Sequence, residues 1–136
     1  MPTVIPHDLD AYVVACGFLG EAAIYALGDG RVAIRDGETA HTVEAHDGGI
    51  LAAVFTADGR ALLTAGDDGR VVRNTADGAT EVLFEKKGKW LDQLAEGPQG
   101  AIACAAGRMA WVRLADGRVV EFPHEKSVGG VGFLPK

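Results

Sequence analysis

Residues 45–72 read AHDGGILAAVFTADGRALLTAGDDGRVV. One histidine is followed by a run of small and aliphatic residues, an Asp-Gly pair, a second apolar run and a second Asp-Gly pair. The runs ILAAVF, ALLTAG, VVRNT and TEVLF are each about strand length and are separated by ADGR, DDGR and ADGA. Asp and Gly tolerate the backbone angles of tight hairpin turns, so the pattern predicts four short antiparallel strands in a meander. Helical periodicity is missing, and no stretch has the length or the capping residues of a helix.

The same pattern recurs along the chain. His7 and His46 stand 39 residues apart (46 − 7 = 39), and His124 lies two such steps further on (124 − 46 = 78). The intermediate position, 85, is a glutamate. Nine residues after each mark come Cys16, Phe55, Leu94 and Phe133, all apolar. Asp29–Gly30 is repeated as Asp68–Gly69, and Asp77–Gly78 as Asp116–Gly117. The comparison needs no gap. A fixed period in this range means an array of like units, each unable to bury its apolar face alone.

Composition narrows the possibilities. The 136 residues are 48% hydrophobic, with 19 glycines and 5 prolines, too apolar for disorder and too glycine-rich for long helices. A net charge of −6 argues against a phosphate-binding surface and against a nucleic-acid partner. The two cysteines, Cys16 and Cys104, sit inside apolar runs and not at metal spacing, which fits a reducing compartment. The opening MPTVIPHDLD has neither the basic nor the apolar segment of a signal peptide. The apolar runs are too short to cross a bilayer. A cytoplasmic protein without a membrane partner follows by default.

On these residues the chain resembles the WD-repeat β-propeller family, in which each repeat forms one four-stranded blade. That pattern runs from a Gly-His pair through an apolar strand and an Asp-Gly turn to a strand with a small hydroxyl residue. A second Asp-Gly turn and a strand closing in Trp-Asp complete it. The second repeat follows it as Ala45–His46, Phe55, Asp58–Gly59, Leu62, Thr64, Asp68–Gly69 and Val71, with Asn74–Thr75 where Trp-Asp would stand. Repeat one departs from it with Leu19–Gly20 at the first turn. Repeat three departs with Gly97–Pro98 at the first turn and Gly107–Arg108 at the second. The resemblance implies an all-β propeller: a closing outer strand in 1–6, blades over 7–45, 46–84 and 85–123, and the start of a fourth in 124–136. About three and a half blades are then present, the N-terminal half of a seven-bladed ring.

The resemblance also implies that His46, Thr64 and Asp68 form a structural hydrogen-bond network, with Asn74 in the place of the closing Trp. Such a network is three-quarters formed at best. The catalytic alternative makes His46 a base oriented by Asp68, but it lacks a nucleophile at a strained elbow. Histidines at equivalent places on different blades diverge around a ring, so His7, His46 and His124 are not expected to meet at a metal. Cys16 and Cys104 read as small core residues. Ala15, Ala52 and Ala53 belong to the strands nearest the axis, where a tapering ring has room for little else. Trp111 aligns with Val72 and reads as interblade packing.

The stretch Glu85–Lys89 with Trp90 is the one basic cluster. The plainer reading is a solvated loop, with Trp90 in the place of Ile50 at a half-buried strand start. The alternative makes Lys86, Lys87, Lys89 and Trp90 a contact for an acidic protein partner.

No residue set supports catalysis or a cofactor. The function expected is that of a non-catalytic scaffold for protein–protein interaction. The alternatives are a ligand-binding or enzyme-type propeller with its site in loops near the axis, where Asp92 and Gln93 are the polar exceptions, or a fragment with no function of its own. Because propellers close with about four to eight blades, the remainder is expected from a complementary piece of the same protein or from self-association. A stop at Lys136, at the tip of a turn, matches a trypsin-like cut.

Overall fold

The computed structural model describes residues 12–123. The first sheet contains β1 (Val13–Leu19), β2 (Ala22–Leu27), β3 (Arg31–Asp36) and β4 (Thr39–Glu44). The second contains β5 (Ile50–Phe55), β6 (Leu62–Gly66), β7 (Arg70–Asn74) and β8 (Thr80–Glu85). The third contains β9 (Gln93–Glu96), β10 (Ile102–Ala106), β11 (Met109–Arg113) and β12 (Val119–Pro123). Each sheet is an antiparallel meander in sequence order, as DG-type turns between short strands require. Among the described residues the only helical element is a 3-10 turn at Pro98–Gly100. The expected outer strand in 1–6, His7, and the fourth-blade residues His124 and Phe133 lie outside the described residues.

The first strands β1, β5 and β9 lie side by side, and the sheets stack face to face through two apolar cores. Between the first and second blades, Ile24, Ala26, Val32 and Ile34 pack on Ile50, Leu62 and Val72. Between the second and third, Leu63, Val71 and Phe84 pack on Leu94, Ile102, Cys104 and Trp111. Trp111 is 2% exposed and its ring centroid lies 5.6 Å from that of Phe84, so it is packed between blades as its place in the repeat predicts.

The register corrects the gapless period. Cys16 pairs with Tyr25, Ala53 with Thr64, and Leu94 with Cys104. These three first-strand residues occupy one position in successive blades, and the intervals between them are 37 (16 to 53) and 41 (53 to 94). Their mean is 39, which is why an even step fitted the landmarks. The cause lies in the loops: β1 turns into β2 through Gly20–Glu21 and β3 into β4 through Gly37–Glu38, whereas the second blade uses the longer 56–61 and 75–79 segments. Cys16 is therefore the counterpart of Ala53, not of Phe55. It is exposed, contrary to the core role expected of it, because it lies on the face of β1 turned away from the second blade, while Cys104 is buried. Phe18, paired with Ala23, is the true counterpart of Phe55, paired with Leu62.

A candidate site at the junctions between blades

The chain crosses from one blade to the next through residues 45–49 and again through 86–90, two loops of equal length. Arg31 pairs with Glu44 and Arg70 with Glu85 at the ends of the outer strands. At the other ends Ile50 and Leu91 are both fully buried. Each loop is fastened first by a glycine carbonyl of the blade it leaves: Ala45 N–H donates to Gly30 O at 3.1 Å and Lys86 N–H to Gly69 O at 2.7 Å. Gly69 has φ +80, and a Cβ there would run into the Lys86 carbonyl.

At the first junction the histidine ring is joined to two side chains, and a third joins one of these. His46 Nδ1 lies 3.0 Å from Asp68 Oδ1, and its Nε2 lies 2.7 Å from Thr64 Oγ1. Asn74 Nδ2 donates to the same Thr64 oxygen at 3.1 Å and to the Leu62 carbonyl at 3.0 Å. With Nδ1 protonated the chain is consistent throughout: imidazole N–H to carboxylate, hydroxyl to Nε2, amide N–H to hydroxyl oxygen. The sequence left the fourth place open because Asn is far smaller than Trp. Asn74 reaches inward to Thr64 with its amide nitrogen, while its Oδ1 is buried without a partner among the described residues. His46, Thr64 and Asn74 are all buried.

The acidic pair Asp67–Asp68 does more than orient the ring. Asp68 Oδ2 accepts the Asp47 N–H at 2.9 Å, Asp68 Oδ1 accepts the Arg70 N–H at 3.1 Å, and Asp67 Oδ1 accepts the Gly49 N–H at 2.9 Å. Burial by itself would raise the Asp68 carboxyl. The hydrogen bond from His46, with the two backbone N–H groups, outweighs it and holds the group below the usual carboxylate value. Arg70 closes the outside of the junction, with Nε 3.1 Å from Glu85 and Nη2 3.5 Å from Asp47.

The second junction is built differently. The even period put Glu85 in the histidine's place, but the interval of 41 puts Lys87 there. The Asp67–Asp68–Gly69 turn becomes Gly107–Arg108, and the hydroxyl of Thr64 is replaced by the thiol of Cys104, which sits opposite Leu94 as Thr64 sits opposite Ala53. Burial raises that thiol to about 12. Lys86, Lys87 and Lys89 are all exposed. Trp90 does not take the place of Ile50: Leu91 does, and Trp90 is turned to solvent at 69% exposure. The structure thus gathers His46, Thr64 and Asp68 at one junction and Lys86, Lys87, Lys89 and Trp90 at the other.

Between the second and third blades, on the side of the 56–61 loop, lies a groove of about 390 Å³ lined by Arg73, Glu81, Glu96 and Arg113 over Leu63 and Ile102. Glu96 is engaged there, accepting the Ala57 N–H at 2.8 Å across the blades. Among the described residues no three metal-ligating side chains cluster, and no helix is long and apolar enough to cross a membrane.

No family model and no curated protein sequence matches the chain. Its backbone is similar to solved propeller domains. One is the β-propeller domain of Cps50 (Swd1) from Myceliophteria thermophila, at 16% identity and TM-score 0.72, with 90% of this chain on 46% of that one. U3-55K matches at 16% identity and TM-score 0.68, with 91% of this chain on 43% of that one. The WD40 domain of Pan2 from Neurospora crassa matches at 15% identity and TM-score 0.68, with 90% on 41%. The chain spans less than half the length of these structures. Its described residues have the fold of a WD40-type β-propeller, in three consecutive blades.

Proposed function

We propose that the chain is a non-catalytic scaffold for protein–protein interaction, and that its contact surface is the second junction loop. The observation that carries this reading is Trp90, 69% exposed on a loop with Lys86, Lys87 and Lys89. A large aromatic held in solvent beside several cations is the composition of a binding hot spot. The Asp68–His46–Thr64 arrangement, which on paper has the order of a hydrolase triad, supports no chemistry. Thr64 is fully buried, its oxygen already takes the Asn74 amide, and the imidazole is sealed beneath the loop. Reversing the charge of Lys86, Lys87 and Lys89 together is expected to weaken a partner without moving the Tm. A triple variant that retains every partner defeats the reading.

We also propose that the three blades are one arc of a closed ring, seven-bladed by the resemblance, completed by further polypeptide. Phe55 lies against Gly17 of the first blade, whereas its counterpart Phe18 points away from the second blade and is 68% exposed. Phe18 would meet the same kind of partner on a preceding blade. Light scattering on the purified 136 residues tests this: a stable, monodisperse monomer is the result that overturns it.

A further inference from the structure

We propose that the second junction binds a carboxylate-bearing segment of a partner protein, with Lys87 and Arg108 holding the carboxylate and Trp90 the adjoining apolar surface. The proposal rests on the scaffold reading and names the chemistry of its partner.

The first junction is the template. There an acidic turn, Asp67–Asp68, sits over the loop and accepts the imidazole of His46 and the N–H groups of Asp47 and Gly49. Transferred by register, His46 becomes Lys87, Asp47 becomes Gly88 and Gly49 becomes Trp90. The acidic turn becomes Gly107–Arg108, whose arginine is exposed. An acid–base pair has been replaced by two bases. By this register the two bases face each other across the junction, cannot satisfy each other, and would be relieved by an anion placed between them. The loop itself remains ordered, as a tight turn with Lys89 N–H on the Lys86 carbonyl and Gly88 at φ +81. Neither Gly88 N–H nor Trp90 N–H has an acceptor among the described residues. By register the second junction therefore has N–H groups without acceptors where the first has bonded ones, adds cations, and has lost the two carboxylates of the turn. A carboxylate from outside matches what is missing, and guanidinium and ammonium groups bind it through charge-assisted hydrogen bonds. Trp90, standing where the first junction has a glycine, extends the surface into one that a peptide covers and a free anion does not.

The probe is acetyl-Gly-Asp-Asp-Gly-amide, the sequence of the chain's own turn at 66–69, added to the whole chain at low ionic strength while Trp fluorescence is followed. Trp111 is buried and supplies a constant background. A saturable change that weakens with salt is expected. It should fall about tenfold in affinity when Lys87→Glu and Arg108→Glu are combined, the loss of one charge-assisted bond. Arg108→Lys should retain it. The proposal is overturned if acetyl-Gly-Asn-Asn-Gly-amide binds as well, or if the double variant binds the acidic peptide undiminished. It is equally overturned if inorganic phosphate gives the same saturation at the same concentration, which would make this a small-anion site. Arg108 separates this proposal from the scaffold reading, which does not involve it. If reversal of the three lysines weakens a partner while Arg108→Glu and the peptide have no effect, the carboxylate site alone is refuted.

Discussion

The imidazole of His46 lies 2.7 Å from the hydroxyl of Thr64 although 18 residues of chain separate them. The histidine belongs to the loop entering the second blade and the threonine to that blade's second strand, so the bond ties a crossing to the sheet it enters. Removing the imidazole takes from the buried Thr64 the acceptor of its hydroxyl proton and from Asp68 one of its donors. His46→Ala is expected to destabilise the chain by about 1–3 kcal/mol in urea unfolding. Lys87→Ala, at the same place in the next junction but exposed, should stay within about 0.5 kcal/mol of the parent.

Acid should act on the first junction. The folded Asp68 carboxyl is held below its unfolded value, near 3.9. Its contribution is therefore fully present above that value and is lost as pH falls through the lower, folded one. Asp68→Asn should flatten the acid limb of a stability–pH curve. Asp58, Asp77 and Asp116 are also lowered, first by hydrogen bonds within their own turns. They are solvent-exposed, and salt should weaken their share. A curve that keeps its acid limb in Asp68→Asn at high salt would show that another group governs it.

Close approach of blades one and two depends on Gly17. A Cβ there would stand 2.5 Å from Phe55 Cζ. Gly17→Ala should cost about 1–3 kcal/mol by overpacking. Trimming the ring in the same chain, as Phe55→Leu, should return part of that cost. A double-mutant cycle with no coupling would place the strain elsewhere.

The two thiols should differ sharply in reactivity. Burial raises Cys104 to about 12, so little thiolate exists at neutral pH, whereas Cys16 is exposed. Iodoacetamide should label Cys16 in the folded chain and reach Cys104 only after denaturant is added, as peptide mass mapping would show.

Strand content and the three central blades were legible in the sequence because DG turns and alternating apolar runs are local signals, and each was set by neighbouring residues. Register was not. The first blade is shorter than the second at two hairpins, Gly20–Glu21 and Gly37–Glu38, so one interval falls below the even step and the next rises above it by the same amount. An even spacing therefore passed through His46 and Trp111 correctly, while Cys16, Leu94 and the position of Lys87 were misplaced. Cross-strand pairing fixes these, and nothing in the chain order signals it. Asn74 was underrated for a related reason: a short amide suffices where Thr64 and Leu62 come to it. Trp90 and Leu91 are adjacent apolar residues, and which one turns inward is decided by the length of the loop before them.

Cys16 and Phe18 alternate onto the same face of β1, the face turned away from the second blade. The thiol is thereby a reporter, placed by the fold, of whatever settles on that face. Alkylation that is rapid in the isolated chain and slows when complementary polypeptide is added would time the capping of this end of the array, without any label having been engineered into it.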